Sequence, residues 1–227
     1  MKGQVFSMDY KLSPSILAAD VSRLGDELVM VTNAGADYIH IDIMDGMFVQ
    51  NISFGVPVVE GIRKCVDTFF DVHLMVHEPI RYIRDFAEAG ADGITVHAEA
   101  CENLEETIDE IINYGKKAAV SIKPRTDIDS ILSVLPKVYM VLIMTVEPGY
   151  GGQKIRRDTF DKISRLRKYI DENGYDVDIE VDGGVDLDNL NEVLDAGANV
   201  IVAGTKIFHG DVEENVRAFQ KVLSYYK

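Results

Sequence analysis

The sequence predicts a single-domain (β/α)₈ barrel, and three observations carry that prediction. A short motif recurs as Ala34-Gly35-Ala36-Asp37, Ala89-Gly90-Ala91-Asp92 and Ala196-Gly197-Ala198-Asn199. Each copy closes a helix-like stretch and opens a β-branched run, the chemistry of a tight αβ turn with glycine at the helix C-cap. The spacing of the copies is 55 residues from Gly35 to Gly90 and 107 from Gly90 to Gly197. Two βα units in the first gap and four in the second make each unit about 27 residues, so eight units need roughly 216 of the 227 available. Finally, apolar runs alternate with helical patterns along the whole chain, which fits a barrel better than an open doubly wound sheet of five or six strands.

Taken in order, the first strand is expected at Leu12–Leu17. The second, Asp37–Asp42, follows the first copy of the motif, and the third is Phe69–Leu74. The fourth, Gly93–His97, follows the second copy. The fifth is Lys117–Ile122, the sixth Tyr139–Met144 and the seventh Val177–Asp182. The eighth, Asn199–Ala203, follows the third copy. Helical periodicity is clearest at Asn103–Tyr114, Asp158–Glu172 and Leu187–Asp195. Continuously apolar strands between helices mean a parallel sheet buried on both faces.

Composition narrows the class. No linker, low-complexity stretch or charge block divides the chain, so one domain is expected over 1–227. No apolar run reaches membrane-span length, and Met1 to Lys11 has no apolar core of the kind a signal peptide needs. Cys65 and Cys101 have no metal-type spacing and suggest no disulfide framework, so a cytoplasmic protein is expected. The formal charge of −15 argues against a nucleic-acid partner. An anionic substrate would need backbone amides, helix N-termini or a bound cation to hold it.

In a barrel the chemistry gathers at the C-terminal ends of the strands. There the second strand reads His40-Ile41-Asp42, the third Asp71-Val72-His73 and the seventh Glu180-Val181-Asp182. Alternation places His40 and Asp42 on one face of their strand, pointing inward at the mouth. Any one such residue is more often a satisfied polar group at a strand end. Two histidines and two carboxylates converging on one mouth make a site for a borderline divalent cation, Zn²⁺ first, with Fe²⁺, Mn²⁺ or Co²⁺ as alternatives. His97 also ends a strand, but nothing in the sequence pairs with it, and His77 and His209 are likewise left without a role. Glycine-rich loops follow the sixth strand (Pro148 to Gln153), the seventh (Gly183-Gly184) and the eighth (Gly204-Thr205). They let backbone N–H groups approach a phosphate where barrels usually bind one, with a short helix near Lys206–His209 to aim its N-terminus at the anion.

At these residues the sequence resembles the ribulose-phosphate 3-epimerase family. The matching segments are Leu12-Ser13-Pro14-Ser15-Ile16-Leu17, His40-Ile41-Asp42-Ile43-Met44-Asp45-Gly46 and Asp71-Val72-His73-Leu74-Met75. Met144-Thr145-Val146-Glu147-Pro148-Gly149-Tyr150-Gly151-Gly152-Gln153 and Glu180-Val181-Asp182-Gly183-Gly184 continue them, so that the likeness runs from about Leu12 to about Phe208. The resemblance implies that His40, Asp42, His73 and Asp182 bind the metal and that Asp42 and Asp182 are the acid/base pair. It implies that Ser15 and His73 contact substrate near the metal and that Met44, Met75 and Met144 cap the reacting carbons. Gly149, Tyr150, Gly151, Gly152, Gly183, Gly184, Gly204 and Thr205 would line the phosphate end. It also implies a homo-oligomer in carbohydrate metabolism, on the pentose phosphate pathway. Met47, Gln50 and Arg125 depart from the family pattern at positions outside the metal and acid/base set, and put substrate preference in question.

The implied reaction suits the residues. Epimerising C3 of a 2-ketose phosphate, D-ribulose 5-phosphate to D-xylulose 5-phosphate, removes a proton α to a carbonyl and returns one on the other face. Two carboxylates suit this, one per face, and a metal on O2 and O3 would stabilise the 2,3-enediolate. Polarizable, apolar methionines would keep water away without donating a proton. The nearest alternative is a 3-epimerase of a hexulose phosphate such as D-allulose 6-phosphate. A Schiff-base aldolase using Lys123 leaves the metal set unexplained. A decarboxylase of the orotidine-phosphate type would want a strand-end lysine where Asp42-Ile43-Met44-Asp45 stands. A non-enzymatic phosphosugar-binding module has no need of two carboxylates facing a carbon acid.

Overall fold

In the computed structural model, residues 8–226 are described. The expectation of no leader in Met1–Lys11 therefore rests mostly on residues outside that range, as do the outermost ends of the domain expected over 1–227. Eight parallel strands form one sheet in the order β1-β8-β7-β6-β5-β4-β3-β2. They are β1 (Lys11–Pro14), β2 (Tyr38–Met44), β3 (Phe69–Met75), β4 (Gly93–His97), β5 (Lys117–Ile122), β6 (Met140–Met144), β7 (Asp178–Asp182) and β8 (Val200–Ala203). A parallel bridge between Ser15 and His40 closes the sheet between β1 and β2, and the (β/α)₈ barrel expected from the sequence is thereby formed.

The outer helices are α1 (Leu24–Ala34), α2 (Val56–Arg63), α3 (Ile83–Ala89), α4 (Leu104–Asn113), α5 (Phe160–Asn173), α6 (Leu190–Asp195), α7 (Thr205–Phe208) and α8 (Val212–Leu223). Their starts follow from local chemistry. Asn103 accepts from the Glu106 N–H to cap α4, and Asp211 accepts from the Glu214 N–H to cap α8. Helix α8 then buries Val212, Val216, Phe219 and Leu223, a stripe at helical spacing. Between β5 and β6 the chain has no α-helix. One 3₁₀ turn, Ile128–Ser130, buries Ile128 there, and Ile131, Val134 and Leu135 after it are buried too.

The recurring motif does two jobs. Gly35, Gly90 and Gly197 hold φ of 107°, 110° and 113°, left-handed backbone that glycine alone adopts freely. Two residues on, Asp37 accepts from the Leu12 N–H, Asp92 from the Phe70 N–H and Asn199 from the Ile179 N–H, each at 2.8 Å. Each copy thus turns the chain out of a helix and ties the new strand to its neighbour, which explains why the motif served as a ruler. The first strand ends sooner than expected. Ser15 caps a 3₁₀ turn over Ile16–Ala18 by accepting from the Leu17 N–H, and this short-range bond competes with the ladder. Strand register sets the level of the mouth: His40 pairs with Asp71, Asp42 with His73, and Met144 with Asp182.

Candidate active site

Ser15, Asp42 and Asp182 meet at the mouth of the barrel, with His40 and His73 fully buried just below. Ser15 donates its hydroxyl to Asp42 Oδ2 at 2.6 Å. The other carboxylate oxygen, Oδ1, is 3.2 Å from His73 Nδ1 and 3.3 Å from His40 Nε2. One ligand atom from each of His40, Asp42, His73 and Asp182 lies within 4.8 Å of the others. His40 Nδ1 is 2.7 Å from Asp71 Oδ2, an acceptor that would leave Nε2 as the free nitrogen whenever the ring is neutral. That Nε2 is buried and has no hydrogen-bond partner. An orphaned imidazole nitrogen facing two carboxylates and a second imidazole is a donor set that fits a divalent cation.

Electrostatics separates the two aspartates. Burial works to raise the pKa of Asp42, but the positive charge His40 would carry outweighs it and holds Asp42 well below the usual carboxylate range. Asp182 is pushed up to about 6, first by burial and then by the negative charge of Asp42. For His40, burial opposes protonation, yet the carboxylates of Asp42 and Asp71 carry its pKa well above the ordinary imidazole value. Two carboxyl groups with pKa values driven apart are the pattern of an acid and a base sharing one site.

Above this cluster opens a cavity of about 970 Å³, lined in part by Met44, Met75 and Met144. These three methionines are almost fully buried. Gly149, Tyr150, Gly151, Gly152, Gly183, Gly184, Gly204 and Thr205 line the cavity as well. Gly184 has φ of 71°, and a β-carbon there would run into the backbone of Gln153, Lys154 and Ile155. Helix α7 opens on the cavity wall at Gly204 and Thr205, one residue earlier than the helix expected at Lys206–His209.

The loop after β2 packs across neighbouring loops. Asp45 accepts from the Met47, Phe48 and His77 backbone N–H groups. Tyr150 donates its hydroxyl to the Gln50 carbonyl, and Asn51 donates to the Gly149 carbonyl. Met47, Gln50 and Arg125, which depart from the family pattern, are all exposed. Lys123 is not part of the cavity wall; its Nζ lies 3.9 Å from the centre of the Phe48 ring. That position deprives the aldolase alternative of its nucleophile.

All of the site residues expected from the sequence are brought together: fourteen surround the cavity directly, among them Ser15, Asp42 and Asp182, and the two histidines lie beneath it. One expectation fails. His97 does have a partner, because its Nε2 is 2.9 Å from His73 Nε2. The pairing depends on adjacent strands facing the same interior, which spacing along the chain does not reveal. His209, left without a role, stands on the cavity wall. The sequence reading also gave no role to Asp71, Glu180 and Glu99. Asp71 and Glu180 lie two residues before His73 and Asp182, so strand alternation was the available signal.

The fold and this cluster define a class: a (β/α)₈-barrel protein with a cation-type His/Asp site beside a glycine-lined pocket. Among solved structures, 3-keto-L-gulonate-6-phosphate decarboxylase from Vibrio cholerae shares the architecture, with a TM-score of 0.71 at 13% identity over 97% of this chain and 100% of that one. A family model described as the ribulose-phosphate 3 epimerase family matches residues 11–208. The chain is 48% identical to ribulose-phosphate 3-epimerase of a Synechocystis species, over 89% of each chain. It is also 48% identical to that of Bacillus subtilis, over 87% of this chain and 92% of the relative. The chain belongs to the ribulose-phosphate 3-epimerase family.

Proposed function

We propose that this enzyme interconverts D-ribulose 5-phosphate and D-xylulose 5-phosphate, and that Asp42 and Asp182 carry the proton transfers. The observation that carries the reading is a pair of carboxyl groups with oxygens within 4.8 Å of each other at the mouth, one held ionised and the other pushed up to about 6. One carboxylate takes the C3 proton as the electron pair moves into the carbonyl, and the other carboxyl returns a proton from the opposite face. The two exchange roles in the reverse direction. The Ser15 hydroxyl, donated to Asp42, holds that carboxylate in place. Met44, Met75 and Met144 exclude water from C3 without offering a proton. The glycine backbones at the far end of the cavity receive the phosphate.

His40, Asp42, His73 and Asp182 would hold a divalent cation, Zn²⁺ first, with Fe²⁺, Mn²⁺ or Co²⁺ as alternatives. When bound, it supplies Lewis-acid stabilisation of negative charge on the substrate oxygens, worth several kcal/mol. Two free cysteines suit a reducing, cytoplasmic setting, and no described helix is long and apolar enough to cross a membrane. A homo-oligomer is the state the family resemblance implies.

The test is a proton NMR time course in D₂O with ribulose 5-phosphate and allulose 6-phosphate competing in one tube. Deuterium entering C3 of the pentose first supports the reading. Faster exchange in the hexulose would keep the chemistry and change the substrate, and no exchange in either would defeat the epimerase assignment.

A further inference from the structure

A single file of polar side chains leads away from the cluster on its β4 side. His73 turns Nδ1 toward Asp42, at 3.2 Å from Oδ1. Its other nitrogen, Nε2, is 2.9 Å from His97 Nε2. His97 Nδ1 is in turn 3.3 Å from Glu99 Oε2. Both rings are fully buried, so bulk water reaches the file only at Glu99.

Donor and acceptor roles along this file are set from its outer end, because Glu99 Oε2 faces His97 Nδ1 alone. Asp42 at the inner end, by contrast, already accepts from the Ser15 hydroxyl and has His40 Nε2 3.3 Å from Oδ1. An ionised carboxylate only accepts, so His97 Nδ1 carries a proton and donates it to Glu99. A neutral His97 then has a bare Nε2, which accepts from His73 Nε2–H. The lone pair of His73 is thereby left on Nδ1, facing the Asp42 carboxylate 3.2 Å away, an approach of two acceptors that a cation in the site would relieve. Glu99 is itself clamped. Its other oxygen, Oε1, accepts from the Lys123 backbone N–H at 2.7 Å and from the Thr126 hydroxyl. The ring of Phe48 lies over His97 with centroids 4.8 Å apart, closing the file from the side of the β2 loop.

We propose that Glu99 and His97 are positioning residues that lock the tautomer of His73, presenting its Nδ1 lone pair to the cation site before any cation binds. The inference rests on the reading that His40, Asp42, His73 and Asp182 hold a divalent cation. It assigns a role to His97 and Glu99, neither of which touches that cation or the substrate. The arrangement is an outer hydrogen-bond shell of the kind that orients metal-binding imidazoles, extended by a second histidine.

Glu99→Gln is the informative variant. Oε1 already serves two donors, so the new amide must place its NH₂ toward His97 Nδ1, where it donates. The polarity of the file then reverses: His97 Nε2–H donates to His73 Nε2, and the His73 proton moves to Nδ1. His97→Phe removes the acceptor altogether, whereas His97→Gln restores a carbonyl oxygen that can accept from His73 Nε2–H.

The experiment is long-range ¹H–¹⁵N correlation NMR on histidine-labelled, metal-free protein, with Zn²⁺ affinity measured alongside by competition with a chelating dye. The wild type is expected to show His73 protonated at Nε2. Glu99→Gln should shift much of it to the Nδ1–H form and weaken Zn²⁺ about 10- to 100-fold. His97→Phe should weaken Zn²⁺ similarly, and His97→Gln should keep both the tautomer and most of the affinity. An unchanged tautomer and affinity in Glu99→Gln would overturn the proposal, whether or not His97→Phe folds. A wild type with the expected tautomer that binds no Zn²⁺ would defeat the cation reading beneath it. A wild type that binds Zn²⁺ with His73 protonated at Nδ1 in the free protein would defeat the lock alone.

Discussion

Asp42 and Asp182 come from strands separated by two others in the barrel, yet a carboxylate oxygen of one lies within 4.8 Å of a carboxylate oxygen of the other. Their mutual repulsion in a buried setting helps keep Asp182 protonated up to about pH 6 while Asp42 stays ionised. Losing either should therefore stop proton transfer at C3. Asp182→Asn is expected to lower kcat by at least about 10³-fold, near the upper range for a general acid or base, with an unchanged circular dichroism spectrum. A variant retaining full exchange of the C3 proton would end the two-carboxylate mechanism.

The same residue sets a pH dependence of stability in metal-free protein. Its pKa is raised from the ordinary 3.8 to about 6 on folding, so the folded state binds the proton more tightly. That contribution is fully present below about pH 4 and is lost as pH rises through about 6. Above pH 7 an ionised Asp182 burdens the fold. A rise of roughly two units is worth about 3 kcal/mol unscreened, and the open cavity should reduce this to about 1–2 kcal/mol. Asp182→Asn should thus be the more stable protein at pH 8, with the gain vanishing near pH 4. Urea unfolding at both pH values measures it; a gain that grows toward low pH would contradict the assigned shift.

Removing divalent ions should silence the enzyme, and adding Zn²⁺ should restore it. Because the folded cluster binds the ion and the unfolded chain does not hold these residues together, Zn²⁺ at 100 times its Kd should add about 2.7 kcal/mol of stability. Activity that survives exhaustive chelation would remove the cation from the mechanism.

Gly184 combines a left-handed φ of 71° with backbone packed against the space a β-carbon would fill. Gly184→Ala is expected to strain the loop by about 1–3 kcal/mol and to raise KM at least about tenfold, since the phosphate end must shift. Thermal melts and steady-state kinetics read the two effects, and an unaltered KM would place the phosphate elsewhere.

Lys123 lies over Phe48 and is not on the cavity wall. Lys123→Met should keep kcat within about threefold, and borohydride added with substrate should leave Lys123 of the wild type unlabelled, because its amine lies over Phe48 and not on the cavity wall. A covalent adduct on Lys123 would revive the aldolase alternative.

What the sequence determined by itself was anything that depends on local chemistry and period. The glycine turns at Gly35, Gly90 and Gly197, the eight apolar runs and the inward alternation of His40 and Asp42 are readable because each is set within a few residues. From them follow the barrel, the level of its mouth and the candidate ligands. Tertiary structure alone decided the rest. The strand order brings β2 and β7 to one mouth, where burial and the charge of Asp42 raise Asp182, while the charge of His40 lowers Asp42. It also sets His97 against His73 and stretches Glu99 across to the backbone of Lys123. Spacing along the chain cannot reveal these relationships. They arise from side chains of different strands sharing one dry interior, where every hydrogen bond must find its partner across the barrel.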